Sequence, residues 1–185
     1  MSSGAPGGLT VMSDREPTDI KNLDIYGHDA LEWARVRKDL EGPPSADIAA
    51  FLGTVRPDGR PHAAGIGPAY LDGDIYVTSS PDARKAKNLA ANPACTLSLR
   101  LPTIDVVLEA EAVRVTDAEA LEPVAARYRE GGWPAEVDGD ALTAPFSAPS
   151  AGPPPWHVYR LVFHTVFGVG TTEPHGATRW RFAVS

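Results

Sequence analysis

A single cysteine, Cys95, stands among 185 residues, so no intrachain disulfide can form. It falls in an apolar run where a buried structural thiol is the ordinary outcome, and a reducing compartment is expected. No stretch of about 18 apolar residues occurs, and the N-terminus lacks a charged region followed by an apolar one. Neither a membrane span nor a signal peptide is indicated, which places the chain in the cytoplasm as an expectation. Positive charge is also scarce: 17 Lys and Arg face 24 Asp and Glu, a net charge of -7. That balance argues against an extended nucleic-acid footprint and against anionic membrane surfaces, so an anionic partner needs a local patch. There is no P-loop, no GxSxG and no complete GxGxxG. Gly65-Ile66-Gly67-Pro68 holds only a fragment of the last, placed mid-strand and followed by proline. The five histidines, His28, His62, His157, His164 and His175, show no i, i+4 spacing and have no thiol partner besides Cys95, so no metal centre is expected.

Proline and glycine, by contrast, are plentiful at 18 and 17 residues, and they predict many turns and a lean towards β structure. The length suits one domain with tails. Residues 1–22 carry Ser, Gly, Pro and charge without periodicity and are expected to form a flexible N-terminal arm; residues 23–185 form the domain. A helix is predicted over 29–41 and stopped by Gly42-Pro43-Pro44, with Trp33 packing inward. Strands follow over 49–55, 62–70 and 75–79, joined by tight turns at 56–61 and 71–74. Alternation predicts two more strands over 94–101 and 104–115. Asp117 is placed to cap a helix carrying Leu121, Val124, Ala125 and Tyr128, in which Pro123 should cause a kink or a late start. Residues 133–155 have little pattern, and strands return over 156–163, 166–169 and 178–182. Many short strands with two or three helices point to a closed or nearly closed antiparallel barrel, mostly β with peripheral helices.

The chemistry concentrates between Ile75 and Leu89. The strand over 75–79 runs into Ser80, a good helix cap, and Pro81, which suits a first helical position. On a helix beginning there, Ala83, Ala86, Leu89 and Ala90 share one arc, whereas Arg84, Lys85, Lys87 and Asn88 fall on the opposite, outward one. Two readings stand open: a solvated face of a short helix, or an anion grip built from free N–H groups, the helix dipole, hydroxyls and cations. Elsewhere, Glu109 and Glu111 fit a wet strand face better than an acid/base pair. Ser147 and Ser150 imply no positioned base, and Arg179-Trp180-Arg181 suits a stacked surface as well as a ligand contact.

Four segments taken in order carry a resemblance: Thr54–His62 with its Arg-Pro-Asp-Gly-Arg-Pro turn, Leu71–Tyr76, Ser80–Leu89, and Ala177–Phe182 with its Arg-Trp-Arg. Together, from about Ala46 to Phe182, the chain resembles the pyridoxamine 5'-phosphate oxidase-like split-barrel flavoproteins. The likeness is greatest to the branch of actinobacterial flavin/deazaflavin oxidoreductases. The resemblance implies a split β-barrel homodimer with two cofactor sites at the dimer interface. It implies that Ser79, Ser80, Arg84 and Lys85 hold a cofactor phosphate, that Lys87 and Asn88 reach the rest of its tail, and that Pro61, His62, Ala63 and Ala64 line the flat ring. Arg179 and Trp180 are implied near the ring or the interface.

The cofactor implied is the deazaflavin coenzyme F420 or, alternatively, FMN. Three cations and Asn88 exceed the needs of one phosphate, whereas the F420 tail carries a phosphodiester and glutamate carboxylates, which favours F420. The chemistry implied is hydride transfer to a small conjugated or quinone-like substrate, with no catalytic side chain demanded. An FMN-dependent oxidase or reductase and a binding protein without turnover are the alternatives. Ala64-Gly65-Ile66-Gly67 replaces the bulkier residues common along this strand, and Phe163-His164 replaces a common Pro-Thr pair, which predicts a roomier or differently occupied pocket.

Overall fold

In the computed structural model, which describes residues 15–45, 47–148 and 151–183, eleven strands and three helices follow one another. In order they are β1 (Asp19–Asn22), α1 (Trp33–Leu40), β2 (Ala50–Val55), β3 (Pro61–Gly65), β4 (Ala69–Leu71), β5 (Asp74–Ser79) and α2 (Arg84–Ala91), then β6 (Ala94–Arg100), β7 (Ile104–Val115), α3 (Ala118–Glu130), β8 (Glu136–Asp138), β9 (Ala141–Thr143), β10 (His157–Gly170) and β11 (Ala177–Arg181). Nine strands form one antiparallel sheet with the path β1-β11-β10-β7-β6-β2-β3, and β4 and β5 join it through β10.

The sheet divides along β10. One edge of this strand pairs with β7 over nearly its whole length. The other edge pairs with β5 over 157–161 and with β11 over 165–169. The pairing of β10 with β7 shifts register between Phe163 and Thr165, a bulge at His164 that bends the strand where it changes neighbours. Inward residues of this curled sheet, among them Leu52, Leu97, Leu108, Leu161, Phe163 and Trp180, make the larger core. A second cluster joins α3 to the β4, β9 and β10 side through Leu121, Val124, Ala125, Tyr128, Leu142 and Val158.

Several expectations are corrected. The arm was expected to extend through residue 22, but Asp19–Asn22 pairs with β11, because Thr178, Arg179, Trp180 and Arg181 leave one edge of that strand open for backbone pairing; residues 1–14 lie outside the described residues. The single return strand over 62–70 is two strands with different neighbours, since β3 pairs with β2 and β4 with β5. Gly67-Pro68 lies at the break, where proline withholds a ladder N–H. The strands over 156–163 and 166–169 are one bulged strand. Within the patternless stretch, β8 and β9 form a small hairpin. Asp117 caps α3 by accepting from the Glu119 N–H at 3.1 Å, and the helix starts at once with Pro123 inside it. No helix among the described residues is long and apolar enough to cross a membrane.

Candidate functional site

The strand-to-helix stretch differs from its sequence pattern in two ways. First, α2 starts at Arg84, with Ala83 in an extended conformation and no side-chain cap. Residues 80–83 form a turn closed by the Ala83 N–H donating to the Ser80 carbonyl at 3.1 Å. Second, the polar arc is not uniformly outward: Arg84 and Lys87 are exposed, whereas Lys85 and Asn88 are 6% and 1% exposed. Burial lowers the Lys85 pKa from its ordinary value, and Lys85 has no acidic partner among the described residues. A cation taken from water without a counter-charge is costly, and a bound anion offsets that cost.

Around Lys85 the chain assembles further polar groups. Ser79 and Ser80, both 2% exposed, end β5 just before the turn. Asn88 donates from Nδ2 to the Thr54 hydroxyl at 2.9 Å, and Thr54 Oγ1 lies 3.4 Å from His62 Nδ1. The Asn88 Oδ1 is buried with no partner among the described residues. A half-turn of the amide would let Oδ1 accept from Thr54 and release Nδ2 as a donor, so either orientation leaves one polar atom over. The His62 pKa is depressed, first by desolvation and then by the charges of Arg56, Arg84 and Lys85. The structure therefore joins His62 on β3 with Arg84 and Lys85 on α2 in one electropositive locus, and links His62 through Thr54 to Asn88.

Other residues named from the sequence lie elsewhere. The alternation of β3 sends His62 and Ala64 to the half-buried side and Pro61 and Ala63 to the exposed one, so the four side chains cannot line one ring face. As the end strand of the sheet path, β3 leaves backbone groups on its free edge. Lys87 lies 3.9 Å from Asp82 and borders a separate cavity of about 370 Å³ with Arg114, His157 and Tyr159. Arg179 pairs with Asp19 at 2.8 Å. Trp180 is wholly buried in the barrel core against Trp33, with ring centroids 5.6 Å apart. Neither Arg179 nor Trp180 lines the cavity beside Lys85.

That cavity holds about 550 Å³, within the usual range for small-molecule sites. Gly65–Pro68 border it, in the region where a roomy pocket was expected, along with Thr78 and Lys85. Pro44, Tyr128, Trp133, Phe146 and Ser147 complete much of the wall. Two close approaches shape it. A Cβ on Gly131 would stand 2.6 Å from the Pro44 carbonyl, which lets the end of α3 meet the segment before β2. Gly152 has φ +77°, and a Cβ there would lie 3.0 Å from Ser80 Cβ, so Gly152 rests on the turn that precedes α2. Sequence reasoning missed Thr54, Tyr128, Trp133 and Phe146 as wall or network residues. Tyr128 carried only a core-spacing signal, and Trp133 and Phe146 lay in the patternless stretch. Ser150 lies outside the described residues.

The chemistry available is anion binding next to a largely apolar chamber. A buried lysine with no acidic partner among the described residues, a leftover amide atom and the buried Ser80 hydroxyl suit a phosphate-bearing organic ligand, while the Ser79 hydroxyl donates to the Ser80 carbonyl at 3.1 Å. Among the described residues, no three His, Cys, Asp or Glu side chains are grouped to hold a metal ion.

The chain is similar to several solved structures. An FAD-binding protein from Mesorhizobium loti is similar at a TM-score of 0.50, with 18% identity over 81% of this chain and 95% of that one. An F420 reductase has a TM-score of 0.47 and 20% identity, covering 70% of this chain and 94% of its own. An FMN-binding, pyridoxamine 5'-phosphate oxidase-related protein from Nostoc punctiforme has a TM-score of 0.47 and 19% identity, covering 69% and 77%. At 18% identity the likeness to the Mesorhizobium loti protein concerns the fold alone. No curated protein matches the sequence. The family match runs over residues 38–170, from the end of α1 to the end of β10 and across the whole Lys85 locus, and by it the chain belongs to the pyridoxamine 5'-phosphate oxidase family.

Proposed function

We propose that the chain is an oxidoreductase that binds coenzyme F420 at a homodimer interface and delivers hydride to a small conjugated or quinone-like substrate. The observation that carries this reading is the buried, unpaired Lys85 beside a cavity of about 550 Å³, with Arg84, Ser79, Ser80 and the His62-Thr54-Asn88 network around it. F420 is preferred over FMN because Arg56 and Arg84 act on His62 together with Lys85, a cationic charge beyond the needs of one phosphate. Lys87, turned towards the second cavity with Arg114 and His157, suits tail carboxylates. FMN is the alternative cofactor, and a binding protein without turnover is the alternative role. When bound, either cofactor supplies the hydride chemistry. The chain binds the phosphate, orients the ring along the free edge of β3 and excludes water.

Dimer formation is supported by the outward face of the β3-β2-β6-β7 sheet. Phe51, 54% exposed, stands in one row with Gly65, Ser98 and Val107, the last 39% exposed. This row of small and apolar residues suits a second copy, with Arg100, Asp105, Glu109 and Glu111 beside it on the same face.

Fluorescence titration of the purified protein with F420 and, separately, with FMN tests the proposal. Saturable binding of F420, tighter than that of FMN, is expected, and Arg84→Ala and Lys85→Ala should each weaken it by about 1–3 kcal/mol. Unchanged affinity in both variants removes the phosphate grip, and binding of neither cofactor removes the flavoenzyme reading.

A further inference from the structure

The cavity of about 370 Å³ shares no described lining residue with the one beside Lys85. Its walls follow from strand pairing and side-chain size. In the antiparallel ladder of β7 and β10, Arg114 stands opposite Tyr159 and Ala112 opposite Leu161. His157, two residues before Tyr159, falls on the same face of β10 by alternation. Ala86, Leu89 and Ala90 of α2 border the same space. Small side chains on helix and strand leave it open, and its volume lies in the range of small-molecule sites.

The described lining carries cations and hydrogen-bonding groups but no acid. Lys87 and Arg114 are its charged residues, and it holds no Asp or Glu. Their acids stand outside it. Asp82 lies 3.9 Å from Lys87, and Asp140 accepts from one Arg114 N–H at 2.7 Å, which leaves the other guanidinium donors without a partner among the described residues. Tyr159 is 7% exposed, and its hydroxyl has no partner among the described residues yet is not sealed in the core. The His157 ring centroid stands 6.5 Å from that of Tyr159. Burial and then Arg114 lower the His157 pKa, so near neutral pH the ring is uncharged and offers one N–H and one acceptor. Donors on Arg114, Tyr159 and His157 therefore border one space with aliphatic walls.

We propose that this cavity is a second binding site, separate from that of the cofactor, for a small organic monocarboxylate with an apolar body. The Arg114 fork and the Tyr159 hydroxyl receive the carboxylate, and Ala86, Leu89, Ala90 and Ala112 take up the rest of the molecule. The carboxylate exchanges hydrogen bonds to water for hydrogen bonds to these donors, which offsets its desolvation. Inorganic phosphate gains nothing from aliphatic walls and is drawn to the Lys85 locus instead. Lys87, which is exposed, is not required, and nothing in the site depends on the proposed function. An F420 tail reaching the cavity carries the same carboxylate chemistry, and competition separates the two sources.

The experiment titrates the full-length protein by calorimetry with 3-phenylpropanoate, with its uncharged amide 3-phenylpropanamide and with acetate, while NMR follows the imidazole resonances of His157 and His62. The acid should bind at least about tenfold more tightly than the amide, which lacks the charge, and than acetate, which lacks the body. Its binding should move the His157 resonances and leave those of His62 in place. Tyr159→Phe should weaken it about fivefold, and Arg114→Met should abolish the preference for acid over amide. The comparison of probes needs no variant, so a poorly folding Arg114→Met does not decide the outcome. No binding of the acid, equal affinity for acid and amide, affinity insensitive to both substitutions, or shifts at His62 without shifts at His157 overturns the inference. The probe should also stay bound in saturating F420 and in saturating FMN. Its displacement by either assigns the cavity to the cofactor and overturns a separate site. Cofactor titrations of the unmodified chain and of Tyr159→Phe, in which affinity should be unchanged, report the proposed function on its own. Loss of cofactor binding with probe selectivity intact removes that function and leaves this site, whereas intact cofactor binding without probe selectivity removes this site alone.

Discussion

Two segments, Ser79–Asn88 and Ala177–Phe182, both join cations to a regular pattern, and both are largely buried, yet burial has opposite consequences in them. In the first, Lys85 and Asn88 are 6% and 1% exposed, and among the described residues Lys85 has no acid beside it and the Asn88 amide oxygen has no partner. In the second, Arg179 is engaged by Asp19, and the Trp180 ring fills the barrel among Trp33, Phe163 and Phe182. Among the described residues Arg179 Nε and Trp180 Nε1 also lack partners, but Trp180 is 0% exposed and borders neither cavity described above. An uncompensated charge next to open volume is a ligand site in waiting. Aromatic bulk enclosed by other aromatic bulk is core. A cation-rich motif therefore reports function only when its surroundings leave the charge unmet.

The comparison breaks most visibly at Trp180. Trp180→Ala should cost about 3–5 kcal/mol in chemical denaturation, the range for emptying an aromatic core position, while the folded fraction keeps its affinity for inorganic phosphate. Loss of phosphate affinity at unchanged stability would instead place Trp180 in the site. Lys85→Met should act in the reverse sense. It should raise the stability of the ligand-free protein by about 1 kcal/mol, by removing a desolvated charge, and should abolish stabilisation by phosphate in the same denaturation assay.

The finest test is the titration of His62, followed by NMR. In the ligand-free protein the ring should titrate below its ordinary value of 6.5, because desolvation and then Arg56, Arg84 and Lys85 disfavour its charged form. Its contribution to stability is therefore present above the unfolded pKa and is lost as pH falls through the depressed folded value. A bound phosphate opposes the three cations and should move the titration upwards. A midpoint indifferent to phosphate would separate His62 from the anion site.

Much of the fold was legible locally. β6 and β7 follow their alternation, and α3 starts where Asp117 caps it. Each signal there lies within the element that it specifies. The start of α2 was not legible in the same way: Ser80 and Pro81 satisfy the rules for a helix start, yet Ser80 is buried beneath the Gly152 loop and its carbonyl closes a turn instead. The break between β3 and β4, the joining of two expected strands into β10, and the addition of β1 depend on pairing with distant strands. The site divided likewise. Ser79, Ser80, Arg84 and Lys85 share one stretch whose own spacing left a solvated face and an anion grip open, and the resemblance implied the grip, whereas Thr54, Trp133 and Phe146 meet the candidate site through contacts made far along the chain.

By itself, the sequence determined a mostly β chain with peripheral helices and a strand-to-helix stretch dense in hydroxyls and cations, because alternation, capping and composition act over a few residues. Only the tertiary structure decided that Lys85 and Asn88 turn inward while Arg84 and Lys87 remain exposed, that Trp180 is core, and that Trp133 walls a chamber beside Lys85. The physical reason is that the cost of a charge and the use of an aromatic ring are set by what surrounds them, and those surroundings come from segments distant in sequence.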